Sequence, residues 1–313
     1  MNKRDFEKKQ EVKNASMIDN ISDYIIFGTD IDVYDSCNFL LASFRKNVLP
    51  KMSDQQFDIA EKLAKKSRTR GLSAGTINPN LEYYHSYING SKQPSRNIAE
   101  LKGSNYAILK GSVKKNKRSM EINNPVYSSA VGYYENNYKS NLYKNDCPVR
   151  FIEENKLIHL KNYIQQIDHI FELTTPDIWT KQFLYASSVS LYDTSFTTIT
   201  INKNFRTGVH SDKGNVKDFF SILSVQSKGQ YSGGYLLFPE YKIGFDIQDK
   251  DILIFNPHIK HCNSPIFETN AQKLFNSKKG LKPFLVNNKP YISGDELSAK
   301  RLSFVFYQRE GLN

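Results

Sequence analysis

The sequence is poor in cysteine, and the few cysteines that it has stand far apart. They are Cys37, Cys147 and Cys262. An odd number of widely spaced cysteines argues against a disulfide framework and against a cysteine-based structural zinc site. Any metal chemistry in this chain must therefore depend on other side chains.

Long apolar runs are also missing. No stretch approaches the roughly 20 apolar residues that a membrane-spanning helix needs. The first residues, MNKRDFEKKQEVKN, are charged and contain no apolar segment typical of a secretory signal. We therefore expect a soluble, intracellular monomer without a membrane partner, and its location, nuclear or in a host cytoplasm, stays open.

Acidic residues are scarce in one part of the chain, between Ala60 and Arg118. This region contains 13 Lys and Arg residues but only 3 Asp and Glu residues, so it carries nearly all of the net charge of +11. Such an excess predicts a polyanionic partner such as nucleic acid, whose binding would weaken as salt rises. A solvated basic face without a partner is the alternative.

The patterns that are present divide the chain into two parts. Residues 1 to about 20 resemble a frayed polar arm, the segment MSDQQFDIAEKLAKKS predicts a helix capped by Ser53 or Asp54, and the region from Arg68 to about Asn124 has little periodicity. From about residue 150, two helical patterns precede many short alternating strands. This order predicts an α+β fold with a barrel or double-sheet β core, in which 1–125 is a basic N-terminal region and 126–313 the main domain.

The main domain contains a candidate metal-binding pattern. His210 and Asp212 follow the strand FTTITIN in the turn TGVHSDKGN, and residues two apart on an extended segment point to the same side. Alone this pattern is a weak signal, and a polar turn is the alternative. His258 and His261 follow the buried strand DILIF, however, and a later strand begins with Arg301. Two histidines and a carboxylate suit a facial Fe(II) site, and an arginine suits the carboxylate of a 2-oxo acid.

The last strand, RLSFVFYQ, has two different faces. Alternation places one set of residues on the first face: Arg301, Ser303, Val305 and Tyr307. We assign this set to the interior of the β core, and we expect the opposite apolar set, Leu302, Phe304 and Phe306, to pack under the helices. The alternatives are a structural ion pair for Arg301 and a core position for Tyr307.

The order of these motifs resembles the double-stranded β-helix of Fe(II)/2-oxoglutarate dioxygenases. More narrowly, RLSFVFYQREGLN and HCNSPI look like the TET/JBP family, which hydroxylates the 5-methyl group of pyrimidines in DNA, and FTTITINKNFRTGVHSDKGN resembles its compact phage and protist members. The resemblance covers roughly Arg150 to Asn313. It implies a jelly-roll or cupin-like core with flanking helices and a basic N-terminal extension.

The resemblance also implies ligands for the cofactors, which are Fe(II), 2-oxoglutarate and O2. The expected iron ligands are His210, Asp212 and His261. His258 is the rival for the third position. Arg301 and Ser303 match the residues that bind the far carboxylate of 2-oxoglutarate, whereas Arg150 is a candidate for the near carboxylate only because it precedes the core.

On the substrate side, the resemblance implies DNA with a pyrimidine flipped out of the helix. Tyr307 matches the aromatic residue that stacks on this base, and Asn215 matches a residue that reads its edge. Arg309 stands where animal TET enzymes have a base-contacting histidine, which leaves the choice between 5-methylcytosine and thymine open.

Two other functions remain open at this point. A prolyl-type protein hydroxylase shares the metal-binding triad but commonly has a lysine where Arg301 stands, and a catalytically inactive nucleic-acid-binding barrel would need no intact triad. The 40 positions that separate His261 from Arg301 exceed what two adjacent strands need. We therefore predict an insertion at about 267–299, either a contact to the DNA backbone or a mobile flap.

Overall fold

The computed structural model of the chain describes residues 3–67, 70–75, 96–102, 106–111, 119–122, 126–135, 149–186, 189–283, 285–286, 289–290 and 297–312. Within these segments the chain combines helices with one large and several smaller β-sheets, as the predicted α+β class requires. Every helix among the described residues is too short or too polar to cross a membrane.

The largest sheet contains ten strands, and nine of them follow one another side by side. In spatial order they are β1 (Lys3–Phe6), β3 (Ile31–Asp35), β4 (Leu40–Arg45), β16 (Ile252–Phe255), β12 (Ser221–Lys228), β21 (Lys300–Tyr307), β11 (Thr198–Lys203), β9 (Val126–Glu135) and β10 (Val149–Ile152), with β5 (Lys66–Ser67) also paired to β9. All pairs are antiparallel except β1 with β3.

A second sheet of four strands faces the middle of the large one. Its order is β17 (Cys262–Asn263), β14 (Leu236–Phe238), β15 (Ile243–Phe245) and β2 (Ile25–Phe27). Aromatic side chains fill the space between the sheets: Phe238 packs on Phe255 at 6.2 Å between ring centroids, and Phe44 packs on Phe245 at 5.8 Å. Two facing sheets around such a core are consistent with the double-stranded β-helix of 2-oxoglutarate oxygenases.

The first four α-helices cover the outer face of the large sheet, and the fifth lies in the predicted insertion. They are α1 (Asp54–Leu63), α2 (Glu154–Leu157), α3 (Lys161–Thr174), α4 (Pro176–Ala186) and, in the predicted insertion, α5 (Asn270–Lys278). Ser53 caps α1 in a capping box with Gln56. Buried apolar residues of α2 and α3 pack against Leu302, Phe304 and Phe306, so the outward face of β21 lies under helices as expected.

The N-terminal arm is ordered, which corrects the prediction of a frayed segment. Its first residues pair as β1 with the open edge of β3, and Ala15 and Ser16 exchange backbone hydrogen bonds with Val209 at 2.6 and 2.8 Å. The sequence of this arm is polar because much of its stability comes from backbone hydrogen bonds, which leave no apolar pattern.

The aperiodic region also contains structure that its sequence did not reveal. Strands β6 (Arg96–Lys102), β7 (Tyr106–Gly111) and β8 (Ser119–Ile122) form an antiparallel sheet. The basic run at 112–118, which connects β7 to β8, lies outside the described residues, as do 76–95 and 136–148. The role of the basic N-terminal region in binding DNA therefore stays a prediction.

The insertion is anchored at one end of the core. Short pairs form within it and beside it: β13 (Ser232–Gly233) with β18 (Ile266–Phe267), and β19 (Leu285–Val286) with β20 (Lys289–Pro290). The buried Asn276 of α5 donates 2.8 Å hydrogen bonds to Gln230 O and to Glu268. Because Gln230 follows the end of β12 that pairs with Lys300, the described part of the insertion lies at the Arg301 end of β21, away from Tyr307.

A partly buried carboxylate and two lysines join α1 to the large sheet. Lys203 of β11 and Lys300 of β21 donate to opposite oxygens of Glu61, and only 9% of the Lys203 side chain is exposed. Burial tends to raise the pKa of Glu61, but the hydrogen bonds from the two lysines outweigh it and lower the pKa. The buried ammonium of Lys203 thus depends on this carboxylate.

We expect Glu61→Ala to lower the free energy of unfolding by roughly 3 kcal/mol, because it removes the carboxylate beside a buried charge. Asp58→Ala, which removes a 57% exposed partner of Lys228, should cost less than about 1 kcal/mol. Since the native pKa of Glu61 is lowered, its contribution is present above its usual range and is lost as pH falls below it. Urea denaturation at neutral and acidic pH measures both effects, and equal small losses for the two variants would contradict the expectation.

Candidate active site

Backbone hydrogen bonds bring the distant halves of the predicted metal site together. His210 N donates to His261 O at 3.0 Å, and His261 N donates to His210 O at 2.8 Å. The Asp212 amide donates to Pro257 O at 2.9 Å, just before the turn that leads to His261. Side chains of residues paired in this way lie on the same side of the two strands.

The three predicted ligands form one cluster. The Nε2 atom of His210 lies 3.4 Å from Asp212 Oδ1, the Nε2 atom of His261 lies 3.6 Å from Asp212 Oδ2, and one ligand atom from each residue lies within 4.8 Å of the others. His258 is exposed, and its Nε2 faces Val216 O at 3.2 Å. The geometry therefore brings His261, rather than His258, to His210 and Asp212.

Both imidazoles are oriented by the backbone two residues earlier in the chain. His210 Nδ1 lies 2.8 Å from Gly208 O, and His261 Nδ1 lies 2.8 Å from Ile259 O. A carbonyl oxygen only accepts, so each Nδ1 carries a proton, and Nε2 is the nitrogen that faces the cluster, where its lone pair serves a metal ion once Nε2 has lost its proton. This is the form in which histidine binds a metal ion.

The charge states of the cluster also suit a metal ion. Burial tends to raise the pKa of Asp212, but the hydrogen bond from His210 and the charge of His261 outweigh it and lower the pKa to about 2. Burial, followed by the charge of His210, lowers the pKa of His261 to about 4. At neutral pH the carboxyl group is therefore ionised and the His261 imidazole neutral, as metal ligands must be.

The cluster opens into a cavity of about 400 Å³ between the two sheets, and the inward face of β21 forms one wall. Arg301 lies in this wall and is only 2% exposed, yet its Nε and Nη2 atoms have no hydrogen-bond partner among the described residues. A buried guanidinium without a carboxylate is costly. Among the described residues, Arg301 forms no structural ion pair, which was the alternative prediction. Its Nε and Nη2 donors are therefore available to an anionic ligand.

Ser303 is held in place beside Arg301. Asn202 of β11 donates from Nδ2 to Ser303 Oγ at 3.4 Å, and the Ser128 hydroxyl bonds to Asn202 Oδ1. All three residues line the cavity. The predicted alternation of β21 is thus what the structure has, with Arg301, Ser303, Val305 and Tyr307 lining the cavity.

The three predicted substrate-side residues lie together at the other end of the cavity. Asn215 and Arg309 face each other in an isolated antiparallel bridge, and Asn215 Nδ2 donates to Ser221 Oγ at 2.5 Å. The Arg309 guanidinium stacks on the Tyr134 ring at 3.9 Å from its centroid. Tyr307 is 7% exposed and lines the same cavity, where burial raises the pKa of its hydroxyl.

Sequence reasoning missed several residues of the cavity wall. Asn202 shares a face with Thr200, so alternation along FTTITIN held a usable signal. Arg70 and Tyr134 come from segments outside the recognised motifs and gave no such signal. Arg150, the candidate for the near carboxylate, is not among the described lining residues, and the placement of its side chain lies outside the described part of the chain.

Comparison with known proteins gives similar thymine dioxygenases from two organisms. Thymine dioxygenase JBP1 of Trypanosoma brucei brucei is 32% identical over 108 residues, which cover 34% of this chain and 13% of that protein. Bifunctional helicase and thymine dioxygenase JBP2 of Leishmania tarentolae is 30% identical over 166 residues, which cover 51% of this chain and 15% of that protein. The chain therefore matches only a small part of these relatives.

A solved structure and a family model also match. The structure of NgTET1 in complex with 5mC DNA aligns with a TM-score of 0.47 and 13% identity, covering 99% of this chain and 83% of that one. The model of the Tet_JBP oxygenase domain of the 2OGFeDO superfamily matches residues 129–310, more than half of the chain and all of the clustered ligands. The chain belongs to the Tet/JBP family, within the superfamily of dioxygenases that use 2-oxoglutarate, Fe(II) and O2.

Proposed function

We propose that this chain is an Fe(II)/2-oxoglutarate-dependent dioxygenase that hydroxylates the 5-methyl group of a pyrimidine base in DNA. The observation that carries the proposal is one cavity with two complementary features. A two-histidine, one-carboxylate cluster lies in it, and so does a buried arginine whose Nε and Nη2 have no hydrogen-bond partner among the described residues. The relatives named above act on thymine, a 5-methylpyrimidine.

The cluster fits Fe(II) in two ways: its donor atoms are those that Fe(II) binds, and its imidazole rings are already oriented for binding. His210, Asp212 and His261 would hold the ion from one side, which leaves the positions toward the cavity for other ligands. The backbone carbonyls that fix both imidazoles reduce the reorganisation needed on binding. When bound, Fe(II) with 2-oxoglutarate and O2 supplies the oxidising chemistry that converts a C–H bond into a C–OH bond.

Arg301 and Ser303 would orient the co-substrate. The guanidinium of Arg301 presents two donors to the far carboxylate of 2-oxoglutarate, and its burial strengthens this contact because water does not compete. Asn202 holds the Ser303 hydroxyl beside it. A fixed far carboxylate directs the 2-oxo acid end toward the metal-binding cluster.

The depth of the cavity requires the base to leave the DNA duplex. A methyl group in the major groove does not reach a cluster whose His261 is 4% exposed, so the base must flip into the cavity. Tyr307 would replace the lost stacking, and the paired Asn215 and Arg309 would hydrogen-bond the base edge. Thymine and 5-methylcytosine both have the methyl group that this proposal needs.

An intact cluster supports an enzyme rather than an inactive nucleic-acid-binding barrel. Arginine at the anchoring position, where prolyl-type hydroxylases commonly have lysine, favours the DNA-modifying class over a protein hydroxylase.

Removing a ligand of the cluster should strongly weaken metal binding. We expect His261→Ala to weaken binding of Fe(II) or Mn(II) by more than the roughly 10–100-fold that loss of an outer partner costs. His258→Ala is the matched control, since His258 is exposed, and it should bind as the wild type does. Anaerobic calorimetric titration measures both, and a wild-type affinity for His261→Ala would contradict the assignment.

Removing the Arg301 guanidinium should weaken binding of the co-substrate without removing the metal. For Arg301→Gln we expect a rise of about 100-fold in the KM for 2-oxoglutarate, because a buried charge-assisted hydrogen-bond pair is lost. Mn(II) affinity should stay within about threefold of the wild type. Steady-state succinate formation and metal titration give the two values, and an unchanged KM would remove Arg301 from the co-substrate site.

The substrate is tested by mass spectrometry of nucleosides. Unmethylated and 5-methylcytosine-containing DNA, incubated with protein, Fe(II), 2-oxoglutarate and ascorbate, should gain 5-hydroxymethyluracil, 5-hydroxymethylcytosine or both. His210→Ala should give neither product, because it lacks a ligand of the cluster. Consumption of 2-oxoglutarate without an oxidised base in either DNA would exclude DNA as the substrate.

A further inference from the structure

The N-terminal arm packs behind the metal-binding cluster, on the side away from the cavity. His210 and His261 line the cavity, whereas their neighbours Val209 and Cys262 belong to a buried apolar cluster on the opposite face of the same two segments. The arm packs three apolar side chains against this buried cluster: Val12, Ile18 and Ile21. The family model begins only at residue 129, so a part of the protein outside the matched region supports the two histidine segments.

Backbone pairing places the arm directly beside the segment that carries His210. Ala15 N donates to Val209 O at 2.6 Å, and Val209 N donates to Ser16 O at 2.8 Å. Val209 thus bonds to the arm through both of its backbone groups, just as His210 bonds to His261 through both of its own. The segment that carries His210 is therefore the middle one of three paired segments.

Two cations attach the arm to both halves of the ligand pair. Lys260, directly before His261, donates from Nζ to Val12 O at 2.8 Å. Arg206, on the segment of the other histidine, donates from Nη2 to Ile18 O at 2.9 Å. One end of the arm is thus held by each histidine segment, and the arm bridges the two.

Arg206 connects the arm to both histidine segments at once. Besides its bond to the arm, its Nε donates to Asn263 O at 3.4 Å, two residues after His261. Its Nη2 also pairs with Asp19 Oδ1 at 2.6 Å, but the Asp19 side chain is 76% exposed, and such a pair contributes little by itself. The Arg206 side chain is only 13% exposed, so its bonds to the two carbonyl oxygens carry the connection.

A close contact at Gly208 links the position of the arm to the orientation of the His210 ring. Gly208 O is the atom that lies 2.8 Å from His210 Nδ1. A Cβ atom at this position would lie 3.0 Å from Ala15 O and 2.7 Å from Gly75 Cα, so the arm and Gly208 are in direct contact. A shift of the arm would therefore move the carbonyl group that orients the imidazole.

We propose that the N-terminal arm, at residues 12–19, is a positioning element of the metal site and that Arg206 is the positioning residue that couples it to both histidines. The inference rests on the proposed function, because it assigns the arm a role in binding Fe(II). Arg206 is not among the described residues that line the cavity, so it acts through His210 and His261 rather than as a ligand. Outer partners of this kind raise metal affinity because the ligands need less reorganisation on binding.

Metal titration of two variants tests this role. Arg206→Met removes the guanidinium but keeps an apolar stem, and Ile18→Ala removes packing while leaving every backbone hydrogen bond of the arm in place. We expect each to raise the Kd for Mn(II) by about 10–100-fold, the range for loss of an outer partner. Loss of a positive charge at residue 206 would by itself favour a cation, so weaker binding by Arg206→Met reports on positioning. Calorimetric titration of the full chain, well below its unfolding temperature, gives the Kd.

Control variants separate positioning from stability. Glu61→Ala is expected to destabilise the fold from α1, and Asp19→Asn removes only the exposed partner of Arg206. Both should bind Mn(II) within about threefold of the wild type. The visible absorption of the Co(II)-loaded chain reports the geometry of the ligands, and we expect it to change in Arg206→Met but not in Glu61→Ala. Arg206→Lys keeps the charge without the planar fork and should give an intermediate Kd.

Two results would overturn the inference. One is wild-type affinity with an unchanged Co(II) spectrum in both Arg206→Met and Ile18→Ala. The other is an equal loss of affinity in Glu61→Ala, because the effect would then follow stability alone. Thermal unfolding verifies that each variant is folded, and Ile18→Ala keeps the test available if Arg206→Met does not fold.

Failure of the proposed function would look different from failure of this inference. A wild-type chain that binds neither Mn(II) nor Co(II) has no metal site, which overturns both. Metal binding that depends on Arg206, in a chain that oxidises no base in DNA, supports the role of the arm and removes only DNA as the substrate.

Discussion

The candidate site depends on a pair of backbone hydrogen bonds between two residues that are 51 positions apart. His210 and His261 each donate to the other, which pairs the turn after β11 with the start of β17. The same segment is held on its other side, where Val209 pairs with Ala15 and Ser16 of the N-terminal arm. Without this three-way pairing, the donor atoms of two histidines and Asp212 would not lie within 4.8 Å of one another. The metal-binding geometry is therefore a property of the sheet as much as of the three side chains.

Two buried cations in neighbouring strands differ in whether a protein carboxylate compensates their charge. Lys203 of β11 is 7% exposed and has a protein carboxylate, Glu61, within hydrogen-bond distance. Arg301 of β21 is 2% exposed and has no such carboxylate among the described residues. A buried charge without a partner costs several kcal/mol, so a chain retains one only where something compensates. This difference between the two cations supports the proposal that an anionic ligand, rather than a permanent ion pair, compensates the charge of Arg301.

Local patterns predicted much of the fold, and together with the family resemblance they named most of the residues that the structure brings together in the cavity. The alternation in RLSFVFYQ separated the cavity-lining Arg301 and Tyr307 from the helix-covered Phe304, since strand geometry alone fixes these faces. The ordered N-terminal arm and Arg70 could not be predicted in this way. Both are positioned by contacts with residues more than a hundred positions away, at Val209 and Gly208, and such contacts leave no periodic signal in their own segment. The resemblance to the TET/JBP family gave no information on these two segments, because it begins only near residue 150.

Strand β21 runs between the two ends of the cavity. Arg301 lies near its beginning, Tyr307 at its end, and Arg309 two residues later, so one strand carries both the candidate co-substrate anchor and the candidate base-binding residues. Its other face is clamped by aromatic packing: Phe304 lies 5.4 Å from Tyr163 and Phe306 lies 5.2 Å from Phe196, between ring centroids. Tyr163 also bonds through its hydroxyl to Ser224 of the neighbouring strand β12 at 2.9 Å. Because a close-packed core resists displacement, the helices outside the sheet fix the distance between the two ligand-binding ends inside it. Bound groups react only when they are held in a precise relative position, and the aromatic packing behind β21 supports the rigidity that the proposed reaction needs.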